Sequence, residues 1–163
     1  MAIYKFFIDL FATGFYAGKS PISPGTIGTA FAAIIAFFFP LQSMLSSYYY
    51  GSILTLFFAL FSIWIANESL RLGIYGAKKE DPQQIVIDEF AGYFVALIGL
   101  PLGFQSIAIA FVLFRIFDIS KLYPVNKFEF FPRGYGIVLD DIMAGIYANI
   151  FGQLIIYLWL APK

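Results

Sequence analysis

The chain has 163 residues, 61% of them hydrophobic and only 12% charged, with ten basic and ten acidic side chains and no net formal charge. Soluble domains carry about twice that charged share, so an ordinary soluble globule is excluded, and the zero balance gives no basis for nucleic-acid binding. The sequence contains no Cys and no His, which excludes disulfides, thiolate nucleophiles, imidazole bases, phosphohistidine intermediates and Ser-His triads. Any chemistry runs on carboxylates, hydroxyls, Lys, Arg, backbone groups and a hard metal ion.

Several apolar runs approach the roughly 17–25 residues of a membrane-spanning helix. The expected fold is an all-α integral membrane bundle forming one domain over residues 1–163. It comprises an N-terminal interfacial helix over 1–15 and, over 26–160, about five membrane-embedded helices. In MAIYKFFIDLFATGF, residues Ile3, Phe6, Phe7, Leu10 and Phe11 share one helical face, and Lys5, Asp9 and Thr13 share the other. That is the pattern of a helix lying in the bilayer interface. The segment AGKSPISPGTIGT predicts an ordered loop and a helix start, with Thr26 as N-cap and Gly25 supplying left-handed freedom. The helix it opens covers 26–41 and carries a small-residue stripe of Gly28, Ala32 and Ala36.

A polar turn, QSMLSSYYYGS, places Tyr48, Tyr49 and Tyr50 in an aromatic interfacial belt and leads to a second span over 53–71. GIYGAKKEDPQQ reads as an exposed loop in which Lys78 is remote from any chemistry. A third helix covers 85–100, with Asp88 and Glu89 in its first turns and Gly92, Ala96 and Gly99 as its small face; Pro101 and Gly103 break it. The fourth covers 105–120 and carries Arg115 and Asp118 near its end. After a second charged loop, SKLYPVNKFEFFPRGYG, the last apolar run opens on Asp140 and Asp141. Ala144, Gly145, Ala148 and Gly152 follow Asp141 on one helical face, and small residues there let another helix approach closely. Asp141 heads that stripe and is expected to point into the bundle.

Threading five spans alternately through a bilayer puts every charged residue on one side except Lys163. The opposite turns carry no Lys or Arg, so the charged side is cytoplasmic by the positive-inside rule. The same threading gathers Lys19, Thr26, Glu68, Asp88, Glu89, Arg115, Asp118, Asp140 and Asp141 at one membrane depth. Each acidic pair taken alone is also explained by the favourable dipole of a helix N-terminus. Asp118 is not, because it sits near a helix C-terminus, although Arg115 one turn back offers it a partner. As a set, five carboxylates from three helices converge only with a counter-charge, for which Mg²⁺ is the natural ion. Lys19, Lys121 and Arg115, with the Ser23 and Thr26 hydroxyls and free N–H groups at the helix start, form a candidate phosphate site.

The blocks LFATGFYAGKSPISPGTIGT, DPQQIVIDEFAG, FRIFDISK and GYGIVLDDIMAG, in that order, resemble the phosphatidylglycerophosphatase A family of bacterial membrane phosphatases. The likeness covers most of the chain. It departs mildly at Leu122 and Tyr123, where the family usually carries Pro and often Trp, and touches none of the acids. The resemblance implies Mg²⁺-dependent removal of the phosphate monoester from phosphatidylglycerophosphate, giving phosphatidylglycerol, in a multi-pass protein of the bacterial inner membrane. The partners it implies are the phospholipid substrate and the bilayer.

The residues fit that chemistry on their own terms. With His and Cys absent and no D-x-D sequence present, what remains is metal-assisted attack by water with a carboxylate as base. Asp88, Glu89, Asp118, Asp140 and Asp141 are the expected metal ligands, directly or through water. Arg115, Lys19, Lys121, Ser23 and Thr26 are the expected phosphate contacts. One alternative is a Mg²⁺-dependent lipid headgroup transferase, which would carry D-G-x-x-A-R where this chain has DDIMAGIY. A second is an ion or proton transporter, whose acids belong nearer mid-membrane on discontinuous helices.

Overall fold

A computed structural model describes residues 1–38, 40–76 and 82–160; Lys78 and Lys163 lie outside the described residues. Every regular element among them is helical: α1 (Ala2–Ala12), α2 (Pro24–Phe38), α3 (Leu41–Leu45), α4 (Tyr48–Arg71), α5 (Ile87–Leu97), α6 (Phe104–Ser120), α7 (Val125–Phe128) and α8 (Gly134–Leu160). A single 3₁₀ turn, Ala17–Lys19, precedes α2. Helices stand at all five positions expected of spans, but among the described residues only Tyr48–Arg71 and Gly134–Trp159 are long and apolar enough to cross a membrane. The outward faces of the bundle, including Ile34, Leu56, Phe57, Ile116, Phe151 and Leu158, are exposed and apolar. Contiguous apolar surface of this kind is foreign to soluble monomers, and we read the chain as a membrane protein.

α2 and α6 fall short of a full span at 15 and 17 residues, and α5 falls furthest short. It has 11 residues, about 16 Å at 1.5 Å per residue, and nearly all of them are buried. α8 packs against it most extensively, with α4, α2 and α6 around the rest. A helix ending inside an apolar bundle must satisfy its last carbonyls. Here α8 supplies the donors: Asn149 Nδ2 donates to the Ala96 carbonyl at 3.1 Å and the Ile98 carbonyl at 2.6 Å. Gln153 in turn donates to Asn149 Oδ1 at 2.8 Å, and the Tyr48 hydroxyl donates to Gln153 Oε1 at 2.8 Å. Those amides let α5 stop at Leu97, three residues before the expected end.

α5 and α8 run parallel in a fixed register. Ala96 faces Asn149, and one turn earlier Gly92 faces Gly145. A Cβ on Gly145 would collide with the Gly92 carbonyl oxygen, and one on Gly92 would sit 2.5 Å from the Asp141 carbonyl oxygen and 2.6 Å from the Phe114 ring. The two backbones touch with no side chain between them, and Ala144 and Ala148 are fully buried along the same seam. One further turn toward the N-termini, the register brings Asp88 level with Asp141.

Helix starts differ from expectation, by one or two residues at α5 and α6, which begin at Ile87 and Phe104, and with clearer causes at α2, α4 and α8. α2 begins at Pro24 rather than at Thr26, because proline has the helical φ already set and no N–H to lose at the first position. The left-handed residue is Ser23 (φ +44) and not Gly25, and the Ser23 carbonyl accepts from the Ile27 N–H at 3.1 Å. α4 begins at Tyr48 rather than Ile53, capped by the Ser47 hydroxyl, which accepts from the Tyr50 N–H at 3.3 Å. α8 begins at Gly134, so Asp140 and Asp141 stand in its second turn. The helix dipole fades within the first turn, and it accounts poorly for that pair.

α1 buries Ile8 and Ala12 and packs the Phe11 ring on Phe61. Asp9 accepts from the Tyr75 hydroxyl at 2.9 Å, Lys5 reaches the Leu72 carbonyl at 3.5 Å, and Thr13 is buried. Ile3, Phe6 and Phe7 are exposed.

The glycine crossing is testable by stability. Gly145→Val drives a branched side chain into the Gly92 backbone and is expected to destabilise the detergent-solubilised protein by about 1–3 kcal/mol. Gly152→Ala, whose Cβ would meet only Leu100 and Leu113 side chains at 3.6–3.7 Å, is expected to leave the thermal unfolding midpoint nearly unchanged.

Candidate active site

At the charged end of the bundle, α2, α5, α6 and α8 surround a cavity of about 350 Å³. Nine of the ten residues expected at a site line it: Ser23, Thr26, Asp88, Glu89, Arg115, Asp118, Lys121, Asp140 and Asp141. Lys19 does not. Its ammonium pairs with Asp9 Oδ2 at 2.5 Å and lies 4.5 Å above the Tyr16 ring, because the 3₁₀ turn that carries it folds back on α1. Glu68, expected at the same depth, is likewise engaged outside the cavity, with Arg71 and with the Tyr4 hydroxyl, each at 2.7 Å.

Each acid reaches the cavity for a local reason. Asp88 and Glu89 occupy the first turn of α5, where free N–H groups favour negative charge. Asp140 and Asp141 come in on α8 through the glycine register, and Asp118 comes from the last turn of α6. Asp88, Asp118, Asp140 and Asp141 are buried, and Glu89 is partly so.

Geometry divides the five acids into two groups. Asp88, Glu89 and Asp141 each present a carboxylate oxygen such that all three oxygens lie within 4.8 Å of one another. Asp118 and Asp140 instead hold the cations. Arg115 Nη1 lies 2.6 Å from Asp118 Oδ2 and 4.0 Å from Glu89 Oε1. Lys121 Nζ bonds Asp140 and stands 3.7 Å from Asp118 and 3.2 Å from Glu129. Asp140 Oδ1 also accepts the Asp141 backbone N–H at 3.0 Å. Burial pulls the pKa of Lys121 down, but Asp140, with Asp141 and Asp118 behind it, pulls it up by more, so the ammonium is held well above the ordinary lysine value.

Whether these residues suit a divalent cation can be judged from the charges they leave unmatched. Five carboxylates face two cations in one cavity, and gathering like charges in a poorly solvated place is costly without compensation. Glu89 Oε2 and Asp141 Oδ2 are buried and receive no hydrogen bond from any described residue. Both belong to the three-acid group, and hard anionic oxygens without donors are what Mg²⁺ selects. The donor set fits that ion.

Several residues in the cavity wall or beside it carried no signal in the sequence. Glu129, in the loop before α8, reaches Lys121 across a turn that no helical spacing foretells. Gln83, Ile85, Ile119 and Ile137 complete the wall. Gly25 matters for its missing side chain: a Cβ there would strike Glu89 Oε1 and lie 3.3 Å from both terminal nitrogens of Arg115. The close packing of the α2 start on those two side chains is what a glycine at this position permits.

Comparison with known proteins is consistent across most of the chain. A family model described as Phosphatidylglycerophosphatase A matches residues 10–156. A Haemophilus influenzae protein named Phosphatidylglycerophosphatase A is 37% identical over 145 residues, covering 88% of this chain and 85% of that protein. The Escherichia coli K12 protein of the same name is 35% identical over 140 residues, covering 84% and 76%. A Bacteroides thetaiotaomicron protein named "Putative phosphatidylinositol-3-phosphatase" is 36% identical over 148 residues, covering 86% and 88%. No solved structure matches the chain. The four sequence blocks that resemble the family all fall within the matched residues, and three of them supply all five acids that line the cavity. The chain belongs to the phosphatidylglycerophosphatase A family.

Proposed function

We propose that this chain is a Mg²⁺-dependent phosphatidylglycerophosphatase, hydrolysing the phosphate monoester of phosphatidylglycerophosphate to phosphatidylglycerol and inorganic phosphate. The observation that carries the reading is the three-acid group beside Arg115 in a cavity at the charged end of a bundle whose flanks are apolar. Family membership supplies the substrate class. The turns at the opposite end, residues 40–47 and 98–103, contain no Lys or Arg. That asymmetry supports a multi-pass protein of the bacterial inner membrane with its cavity open to the cytoplasm. The outward apolar face of α1 supports its lying in the interface at the same end.

Asp88, Glu89 and Asp141 would hold the ion. When bound, Mg²⁺ supplies Lewis-acid stabilisation of phosphoryl oxygens and a more acidic water. Arg115 is fixed by Asp118 so that its guanidinium lines the cavity, ready for the charge that develops on the phosphoryl group. Lys121 adds a second cation, placed by Asp140 and Glu129. Ser23 and Thr26 bring hydroxyls from the α2 start, where unpaired N–H groups also favour an anion. Water attacks phosphorus as the bond from phosphorus to the glycerol oxygen breaks. A cavity carboxylate takes one proton from the water and returns one to the departing glycerol oxygen, which leaves as the alcohol and restores the carboxylate.

The direct test is phosphate release by purified protein from phosphatidylglycerophosphate with and without Mg²⁺, beside a nucleotide-activated lipid that a headgroup transferase would consume. Phosphate release only with Mg²⁺, and no turnover of the activated lipid, is the expected result. Asp141→Asn and Asp88→Asn are expected to lower that turnover at least about 100-fold while the protein still inserts in membranes. Near-wild-type rates in both would remove the metal group from the chemistry. Arg115→Lys, which keeps the charge but loses the planar fork, is expected to cut kcat/KM by about 10- to 100-fold. Lys19→Ala, outside the cavity, is expected to stay within about twofold of wild type, as exposed ion pairs contribute little.

A further inference from the structure

A cavity of about 350 Å³ holds a phosphorylated headgroup but not two fatty acyl chains as well. The chains of a lipid substrate must therefore leave it along apolar surface that is open to the bilayer. Four apolar side chains larger than glycine line the cavity: Pro24, Ile85, Ile119 and Ile137. Ile85 and Ile137 are closed off, at 3% and 8% exposure, and Pro24 is half-buried. Ile119 is the exception at 69%.

Ile119 is also the end of a stripe. Val112 and Ile116, two turns and one turn back on the same face of α6, are exposed at 54% and 53%. The stripe runs from mid-helix to the cavity rim and meets the headgroup cavity where Asp118 and Lys121 stand on either side of Ile119. Ile22, next in sequence to the lining residue Ser23, is exposed as well. Other outward apolar residues, such as Phe57 on α4, have no such continuity with the cavity.

We propose that the acyl chains of the substrate leave the cavity over Ile119 and lie along the Val112–Ile116–Ile119 stripe of α6, making Ile119 a specificity-determining contact for long-chain lipid phosphates. The proposal rests on the phosphatase reading above and deepens it by naming the face on which the lipid docks. Burial of chain methylenes against the stripe then contributes binding that a short-chain substrate cannot draw on.

Two experiments test this. In mixed micelles, the ratio of kcat/KM for dipalmitoyl over dihexanoyl phosphatidylglycerophosphate is expected to fall about tenfold in Ile119→Asp, chiefly through KM. Phe57→Asp should leave the ratio unchanged. An unaltered ratio in Ile119→Asp, or an equal loss in Phe57→Asp, overturns the proposal. A wild type inactive on both lipids overturns the phosphatase reading and this inference with it.

The second readout does not depend on turnover. Because the chain has no Cys, Ile119→Cys carries a unique thiol for a small fluorophore, and Phe57→Cys provides a control. In vesicles with brominated-chain phosphatidylglycerophosphate and chelator present, quenching at position 119 is expected to saturate, while quenching at position 57 rises only in proportion to bulk lipid. Proportional quenching at both positions overturns the docking face even if the enzyme is active.

Discussion

Two polypeptide backbones in contact, Gly92 on α5 against Gly145 on α8, set the geometry of this protein. Side chains at either position would hold the helices apart. With none there, the parallel register is fixed at successive turns, from the amide of Asn149 under the α5 carbonyls to Asp88 beside Asp141. The crossing also explains why α5 can be short. It is wrapped by neighbours rather than by lipid, and its unsatisfied end is closed by side chains of α8. A central helix with its first turn at the charged end of the bundle is a way to deliver two acids to a depth where they would not settle unaided.

Charge within the cavity is arranged in two tiers. Asp118 and Asp140 pair with Arg115 and Lys121, fixing two cations in the cavity wall. The other three acids face one another and include two buried oxygens with no donor among the described residues. Breaking a buried pair leaves an uncompensated charge and costs several kcal/mol, about 3–5 in measured cases. The three acids are held together by the packing of the surrounding apolar helices. The polar chemistry depends on the apolar scaffold for its geometry.

Much of this was legible in the residues. The small-residue stripes of α5 and α8 and the acids one turn before them foretold a close crossing with carboxylates at its head, because helical periodicity places both on one face. The alternation of charged and uncharged turns foretold a single charged end. What could not be read was anything decided by loops or by three-dimensional competition for a partner. Lys19 sits near the right depth, yet Asp9 and Tyr16 are nearer to it than the cavity is. Thr26 was expected to cap α2, but Ser23 adopts the left-handed conformation and Pro24 starts the helix. The length of α5 was hidden because an apolar run reads the same whether lipid or protein surrounds it. Glu129 reaches Lys121 from a loop, where no helical spacing points to it, and Ile119 belongs to an apolar stripe of α6 that in sequence reads only as lipid-facing surface.

The central claim is that acids from α5 and α8 share one divalent cation, and it is tested most directly by binding rather than by turnover. Mn²⁺ is a paramagnetic stand-in for Mg²⁺, and its free-ion electron paramagnetic resonance signal disappears on coordination. Titrated into the protein in lipid nanodiscs, Mn²⁺ should bind saturably, be displaced by Mg²⁺, and lose that binding when Asp141 is replaced by Asn. A titration with no saturable component, or one that Asp141→Asn leaves intact, would contradict the account.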